Sequence, residues 1–239
     1  MKILTLNTWG KNGPAERRSV LVQAILDLAP DVACLQEVTD PALLEAFADY
    51  PVRLHAPQGG LAILSRFPSR SSRTFTYSAV SPLESYRRLL LLAELSCAAG
   101  PLWLGNTHLA WRAEDEPTRL AQVEQLLFWV ASLQPSVLLA GDFNASPDQA
   151  PIARIREGGF TDLFGQLHPN EAGITWDNAN PYIQSHAVRF PDRRIDFLFV
   201  RQDPAGPLKP VHCEVACRRP SAAGGHPSDH YGVLATLLP

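Results

Sequence analysis

The sequence predicts a single α/β domain that spans residues 1–239 and contains mixed β-sheets. Three observations support this fold class. Short apolar runs of strand length alternate with longer segments of helical periodicity along the chain. Several strand-like runs between residues 61 and 95 follow one another as hairpins do, which argues against a purely parallel sheet. No stretch rich in Gly, Ser or Pro divides the chain into separate domains.

The first half of the chain begins with a strand over Lys2–Gly10 that ends in polar residues. A helix is predicted over Ala15–Leu28, because its apolar residues recur at helical spacing and a proline follows it. A second buried strand covers Asp31–Glu37. The pair Asp40-Pro41 is typical of the N-cap and first residue of a short helix that runs through Phe47. Further strands are predicted over Leu61–Leu64, Arg73–Tyr77 and Leu89–Leu95.

The second half repeats this alternation. The longest helix is predicted over Glu116–Leu133, and a shorter one over Asp148–Glu157 ends at two glycines. A long polar loop covers Pro169–Pro191, and a flexible loop covers Ser221–Pro227. The strands predicted in this half are Leu102–His108, Val137–Ala140, Arg194–Val200, Val211–Cys217 and a last strand that ends at Leu237.

Composition narrows the class of protein. A chain of 239 residues with 46% hydrophobic and 19% charged residues is typical of a soluble globular protein. The formal charge of −3 gives no general basic surface for nucleic acid. Four cysteines without CxxC spacing predict buried thiols rather than disulfides or structural zinc. The lack of a leader-like start and of any long apolar run predicts a cytoplasmic protein without membrane insertion.

The most informative stretch is the apolar run Val137–Ala140, which leads directly into Gly141-Asp142-Phe143-Asn144. Because side chains alternate along an extended chain, Asp142 and Asn144 are predicted to point to the same side at the strand end. A carboxylate and a carboxamide placed together can orient a water molecule or bind a hard metal ion. The alternative for an isolated Asp-x-Asn is an Asx turn that closes the strand.

Polar side chains of the same kind end other predicted strands. They are Asn7, Glu37, His108, Asp196, Asp229 and His230. Each has a structural alternative, such as a turn, a helix cap or a surface ion pair. Convergence of polar groups at strand ends is nevertheless how α/β proteins form sites. Oxygen ligands without cysteine favour Mg²⁺ or Mn²⁺ over zinc, and imidazoles beside such an ion suit the hydrolysis of a phosphate ester.

Taken in order, these segments resemble the endonuclease/exonuclease/phosphatase superfamily. The matching segments are Leu6–Trp9, Leu35–Val38, Asn106–Leu109, Gly141–Asn144, Arg194–Phe197 and Ser228–His230. The resemblance covers nearly the whole chain. It implies a four-layer α/β/β/α sandwich, in which two mixed β-sheets pack face to face and helices flank them.

The resemblance also implies roles for the metal and the base. Glu37, together with Asn7 and Asp229, would hold Mg²⁺ against a phosphoryl oxygen, with Mn²⁺ as the alternative ion. Asp142 would orient and deprotonate the attacking water, and Asn144 would fix its geometry.

The two histidines complete the implied site. His230, held by Asp196, and His108 would donate hydrogen bonds to the phosphoryl oxygens. Whether His230 is instead the general base stays open. These roles predict a Mg²⁺-dependent phosphodiesterase in which water attacks in line with the leaving group.

The sequence says less about the substrate class than about the fold or the reaction. Thr175-Trp176-Asp177 and the last motif are most similar to the tyrosyl-DNA phosphodiesterase and neutral sphingomyelinase-like branches. On this likeness Arg88, Trp176 and Asn178 are predicted to contact the substrate. A DNA end or another nucleic-acid phosphodiester is favoured. The alternatives are a sphingomyelinase-like or small-molecule phosphodiesterase or phosphatase and, less favoured, a non-catalytic binding module of this fold; a monomer is expected.

Overall fold

The computed structural model describes residues 1–98, 100–202, 208–222 and 224–239. The strands in these ranges are β1 (Lys2–Asn7), β2 (Val32–Gln36), β3 (Val52–Ala56), β4 (Leu61–Ser65), β5 (Ser69–Thr76), β6 (Leu89–Cys97), β7 (Gly100–His108), β8 (Ser136–Asp142), β9 (Thr161–Asp162), β10 (Asp196–Arg201), β11 (Lys209–Ala216) and β12 (Gly232–Leu238). The α-helices are α1 (Arg17–Leu28), α2 (Glu116–Val130), α3 (Ala150–Glu157) and α4 (Leu163–Leu167). Short 3₁₀ helices cover Pro41–Phe47, Pro57–Gly59, Ala113–Asp115 and Ile183–Ser185.

The strands form two six-stranded sheets with the orders β11-β12-β1-β2-β4-β3 and β5-β6-β7-β8-β10-β9. Within the described residues, β1 pairs in parallel with β2 and β7 with β8, whereas the other pairs are antiparallel. A helix joins each parallel pair, as the connection between parallel strands requires. The carboxyl ends of each parallel pair therefore meet at one edge of its sheet. The prediction of mixed sheets is confirmed.

Apolar side chains fill three layers. One layer lies between the two sheets, a second lies between the first sheet and α1, and a third lies between the second sheet and helices α2 and α3. Strand alternation explains how one strand serves two layers, since Leu138 faces the other sheet whereas Leu139 faces the helices. Two sheets with helices on both outer faces form the α/β/β/α sandwich that the resemblance implied.

Most predicted elements are confirmed within a few residues, but strands β3 and β9 and helix α4 were missed. Strand β9 has only two residues. Strand β3 is only partly buried, and its sequence lacks the apolar run by which the other strands were found. Helix α4 has only five residues, too few for helical periodicity to show. Asp40 acts as predicted, because its carboxylate accepts a hydrogen bond from the backbone N–H of Ala42 at the start of a 3₁₀ helix. In the predicted loop over Ser221–Pro227, Ala223 lies outside the described residues.

The cysteines are free thiols. Cys34 is fully buried between the sheets, and Cys97 is half-buried against the same layer. Cys213 is also buried, whereas Cys217 is partly exposed. Among the described residues, no helix combines the length and the apolarity that crossing a bilayer requires.

A pair of buried amides links the two sheets inside their shared apolar layer. Gln36 of β2 donates from Nε2 to Oδ1 of Asn106 on β7 at 2.7 Å. Asn106 in turn donates from Nδ2 to the carbonyl oxygens of Leu35 and Ala62, both at 2.9 Å. Because buried polar groups must be hydrogen-bonded, these contacts allow one lateral placement of the sheets and disfavour others.

We therefore expect Asn106→Ala to lower the free energy of unfolding by about 3 kcal/mol, because it removes three buried hydrogen bonds, one from Gln36 and two to the carbonyl oxygens of Leu35 and Ala62. Urea denaturation followed by circular dichroism measures the change. The matched control is Asn170→Ala, at an exposed turn position, where a change within about 0.5 kcal/mol is expected. A loss below 1 kcal/mol at Asn106 would contradict the proposed role of this link.

Candidate active site

Strand register places three polar side chains at one edge of the second sheet. His108 of β7 and Asp196 of β10 are the direct neighbours of Asp142 on its two sides. Residues opposite each other on adjacent strands point to the same face, so these three side chains meet. Gly141 has φ +151°, and a β-carbon there would collide with the carbonyl oxygen of Thr107, so the close approach of β7 and β8 requires glycine.

Asp142 is the centre of the polar cluster and is fully buried. Its Oδ2 accepts a hydrogen bond from Nδ2 of Asn7 at 3.0 Å and lies 3.3 Å from Nε2 of His108. Nε2 of His230 is 3.8 Å from the same oxygen. Oδ1 accepts a hydrogen bond from the backbone N–H of Asn144 at 3.0 Å. The contacts fix both carboxylate oxygens, one of which faces two imidazoles.

The charges of this cluster are strongly coupled. Nδ1 of His230 lies 3.0 Å from Oδ2 of Asp196. Burial opposes protonation of His230, but the carboxylates of Asp196, Asp142 and Asp229 outweigh it and raise the pKa of this histidine to about 10. Burial and the charge of Asp196 raise the pKa of Asp142. Burial, helped by nearby positive charge, lowers the pKa of His108 well below its usual value. At neutral pH the cluster therefore holds one protonated and one neutral imidazole.

A second acidic group lies beside the first. Nδ2 of Asn7 donates to Oε1 of Glu37 at 3.1 Å as well as to Asp142, so one amide joins the two groups. Burial, followed by the charge of Asp229, raises the pKa of Glu37. In the part of the chain that the structure describes, neither Glu37 nor Asp229 forms an ion pair with lysine or arginine. Two buried carboxylates without a lysine or arginine partner fit a divalent cation.

The backbone at three positions of the site is in the left-handed region. Trp9 and Glu37 both have φ 56°, and Asn144 has φ 49°. Non-glycine residues adopt this conformation at a cost of about 1–3 kcal/mol, and such residues concentrate at functional sites. The strain lies directly after β1, β2 and β8, where the chain turns polar side chains towards one another.

His186 belongs to the site although the sequence did not indicate it. Its Nε2 lies 2.9 Å from Oδ2 of Asp229. Its ring stacks on Trp9 with centroids 5.8 Å apart and meets Trp176 edge-on at 5.1 Å. His186 comes from the loop predicted over Pro169–Pro191, where no strand end marks the positions that turn inward. The position of His186 is set by contacts with residues far away in the sequence, such as Trp9 and Asp229.

These groups line a cleft of about 410 Å³. Its aromatic lining consists of Trp9, Tyr86, Trp111, Trp176 and Phe190. Two arginines that the sequence did not indicate, Arg112 and Arg193, also line it. The cleft thus combines acids and imidazoles with an aromatic and basic wall.

The predicted catalytic and metal residues come together at this cleft. They are Asn7, Glu37, His108, Asp142, Asn144, Asp196, Asp229 and His230. Of these, side-chain atoms of Asp142, Asp196 and His230 lie within 4.8 Å of one another and could themselves hold a cation. The hydrogen bond between His230 and Asp196 already uses part of that set, so the Glu37 and Asp229 pair suits a cation better.

The three predicted substrate contacts have different positions. Trp176 lines the cleft, with its ring edge-on to His230 at 5.1 Å. Arg88 also lines it, but its guanidinium pairs with Glu84 at 2.8 and 3.0 Å. Asn178 is not part of the lining.

The carboxamide of Asn178 closes its own loop instead. It donates to the carbonyl oxygen of Phe190 at 2.9 Å and to Oδ1 of Asp192 at 2.7 Å. The turn that starts at Asp177 directs Asn178 towards the later part of the same loop. Its carboxamide is thus engaged within the loop, and the substrate contact stays a prediction.

Comparison with known proteins agrees with this geometry. A sequence profile of the endonuclease/exonuclease/phosphatase family matches residues 4–230. The chain belongs to this family. Its members, as the family description states, are nucleases and phosphatases, which are phosphoric ester hydrolases.

Individual relatives of this family are distant in sequence. Tyrosyl-DNA phosphodiesterase 2 of Mus musculus is 27% identical over 239 residues, which cover 95% of this chain and 62% of the mouse protein. This chain thus spans about three fifths of that relative's length. A crystal structure of D. rerio TDP2 with a single-stranded DNA product has a TM-score of 0.85 at 24% identity and covers 100% of this chain and 99% of that chain. A mannosyl-6-phosphatase of Bacteroides thetaiotaomicron has a TM-score of 0.75 at 16% identity, with 100% and 99% covered. At these identities the two structures establish the shared fold.

We expect Asp196→Asn to lower the pKa of His230, because Asp196 is the carboxylate that does most to raise it. Two-dimensional NMR of the imidazole resonances of metal-free protein across pH 5 to 11 measures the change. The resonance is assigned by its loss in His230→Gln. The favourable contribution of protonated His230 to stability is full below about pH 6.5 and is lost as the pH rises through about 10. A wild-type His230 that titrates near pH 6.5 would contradict this electrostatic account.

Proposed function

We propose that this chain is a metal-dependent phosphodiesterase that cleaves a phosphate ester with an activated water. The observation that carries this proposal is the position of buried Asp142. It lies beside His108 and His230 and is joined to Glu37 through Asn7. A base, hydrogen-bond donors and cation ligands in one cleft are the parts that phosphate-ester hydrolysis needs.

Glu37 and Asp229 are the residues proposed to hold Mg²⁺, with Mn²⁺ as the alternative ion. The nitrogen of the Asn7 carboxamide faces Glu37, and its oxygen accepts a hydrogen bond from the backbone N–H of Trp9, so Asn7 holds Glu37 in place. When bound, such an ion polarises a phosphoryl oxygen and contributes several kcal/mol to stabilisation of the transition state.

The chain's own residues supply proton transfer and orientation. Asp142 takes a proton from the attacking water, a role that its raised pKa favours, and the N–H of Asn144 fixes its orientation. Protonated His230 donates towards the phosphoryl group, and Asp196 keeps its ring oriented. His108 lies on the other side of Asp142 and donates to the same group. We propose that water attacks in line with the leaving group.

A nucleic-acid phosphodiester, in particular a DNA end, is the proposed substrate. The names of the mouse and zebrafish relatives refer to DNA, and the aromatic lining of the cleft suits the stacking of bases. A lipid or small-molecule phosphoester is the competing substrate class. Comparison of single-stranded DNA with sphingomyelin and with a sugar phosphate separates these classes by kcat/KM.

Metal removal tests the reaction class. We expect hydrolysis of bis-(p-nitrophenyl) phosphate in Mg²⁺ and its near-complete loss in EDTA, because no lysine or arginine among the described residues pairs with Glu37 or Asp229 in place of the cation. Addition of excess Mg²⁺ or Mn²⁺ should restore the activity. Equal rates with and without EDTA would remove the cation from the mechanism.

Removal of the base tests the assignment of Asp142. We expect Asp142→Asn to lower kcat by about 10²–10⁴, because an amide cannot accept the proton. The same assay measures the effect. Asn170→Ala, at an exposed turn position, is the control and should retain full activity. A folded Asp142→Asn protein with wild-type kcat would exclude Asp142 as the base.

The residues proposed as base, hydrogen-bond donors and cation ligands all meet within one copy of the chain. We therefore propose that it acts as a monomer. We also propose a cytoplasmic location, which the four free thiols support.

A further inference from the structure

Two half-buried arginines in the cleft differ from the fully buried arginines around it. Both Arg112 and Arg193 line the cleft, and the Nε atom of each is buried without a hydrogen-bond partner among the described residues. No carboxylate in the described part of the chain forms an ion pair with either guanidinium. Neither positive group is thus neutralised by an ion pair within the residues that the structure describes.

The neighbouring buried arginines show the usual arrangement. Arg88 pairs with Glu84 at 2.8 Å, and Arg194 pairs with Asp162 at 2.8 Å. Arg17 donates to four backbone carbonyl groups around the loop that follows β1. The Nε atoms of Arg194 and of buried Arg119 also lack a partner, but Asp162 neutralises Arg194, and the guanidinium of Arg119 donates to two backbone carbonyl groups. What sets Arg112 and Arg193 apart is that neither forms an ion pair or a side-chain hydrogen bond among the described residues. Arg112 and Arg193 are therefore exceptions within the same region.

Stacking, rather than ion pairing, holds the two guanidinium groups. The Cζ atom of Arg112 lies 4.1 Å from the ring centroid of Trp111, and that of Arg193 lies 3.9 Å from the ring centroid of Phe190. The two rings touch edge to face at 6.5 Å. A guanidinium that lies on a ring keeps the N–H groups at its edge free to bind an anion.

The charge of Arg193 makes this arrangement costly without a ligand. Burial lowers its pKa to about 10, so it stays protonated at neutral pH while partly dehydrated. Its backbone is fixed, because Arg193 and Trp176 exchange two backbone hydrogen bonds of 2.9 and 3.0 Å. A fixed, partly dehydrated cation beside a polar cleft is suited to a ligand of opposite charge.

We propose that Arg112 and Arg193 form a second phosphate subsite, which binds the phosphate next to the scissile one in a nucleic-acid strand. The inference rests on the proposed function, since Asp142 and the acids beside it mark where the reacting phosphate lies. Trp111 and Phe190 place flat aromatic surfaces beside the arginines, where a base of the same strand can stack. The subsite explains how a chain with net charge −3 can bind a polyanion locally.

The experiment compares esters with one and two phosphates. The one-phosphate substrate is the p-nitrophenyl ester of thymidine phosphate, and the two-phosphate substrate is the same ester of a thymidine dinucleotide. A third substrate carries a neutral methylphosphonate between the two nucleosides. Each is made with the ester at the 5′ end and at the 3′ end, because the strand polarity is part of the test. Each is assayed with Mg²⁺.

Wild-type protein should have a KM about tenfold or more lower for the two-phosphate ester of one polarity, as expected when a charge-assisted hydrogen bond is gained. In the Arg112→Gln and Arg193→Gln double variant this gain should disappear, so that its KM for the two-phosphate ester equals its KM for the one-phosphate ester. The methylphosphonate ester should behave like the one-phosphate ester with both proteins. Arg112→Lys and Arg193→Lys should restore only part of the gain, because lysine keeps the charge but not the stacked planar group.

A binding measurement in EDTA separates recognition from catalysis. The anisotropy of a labelled thymidine tetranucleotide gives Kd as a function of salt. Loss of the contact to this one phosphate should reduce the slope of log Kd against log salt by about 0.7. The matched control is Arg154→Gln, whose guanidinium pairs with Glu124 on the outer helices and which should leave the slope unchanged.

The outcomes distinguish failure of the second subsite from failure of the proposed function. Equal KM values for one and two phosphates in both polarities, or equal losses for all three esters in the double variant, would overturn the second subsite. Failure of wild-type protein to hydrolyse any of the esters would instead overturn the proposed function. A gain that survives in the methylphosphonate ester would show that the second nucleoside, rather than its phosphate, is recognised.

Discussion

The site depends on how the two sheets are placed against each other. Asn7 is the last residue of a strand of one sheet, and Glu37 directly follows another strand of that sheet. Asp142 ends a strand of the other sheet. The amide of Asn7 joins the acids of both sheets, and the buried link between Gln36 and Asn106 fixes the sheets behind them. Because catalytic groups must be held to within about 0.5 Å, polar contacts in the shared core are as necessary as the site residues.

The concentration of acids at this edge opposes folding. Glu37, Asp142, Asp196 and Asp229 lie close together, and burial raises the pKa of the first two. Protonated His230 offsets part of this repulsion. Neither Glu37 nor Asp229 forms an ion pair with a lysine or arginine among the described residues. A site that binds a cation and a phosphate must contain charges that repel one another in the free protein. The bound ligands then neutralise these charges.

The parts of the site that strands carry could be predicted from sequence, and those that loops carry could not. Asp142 and His108 follow recognisable apolar runs, and strand geometry then determines their direction. His186, Arg112 and Arg193 follow no such run. Their positions result from contacts between segments far apart in the chain, such as the stacking of His186 on Trp9. The prediction for Asn178 came from the resemblance, and in the structure its carboxamide donates to Phe190 and Asp192 of its own loop.

This division between strands and loops also separates chemistry from specificity. The strand ends fix the groups that react with any phosphate ester, and the register of β7, β8 and β10 leaves little freedom to change them. The wall of the cleft comes from the segments after β7 and before β10, where Arg112 and Arg193 lie on aromatic rings. Loops tolerate substitution far better than paired strands. We therefore propose that the aromatic and basic wall determines substrate choice in this chain, while the acids and imidazoles of the strand ends determine the reaction.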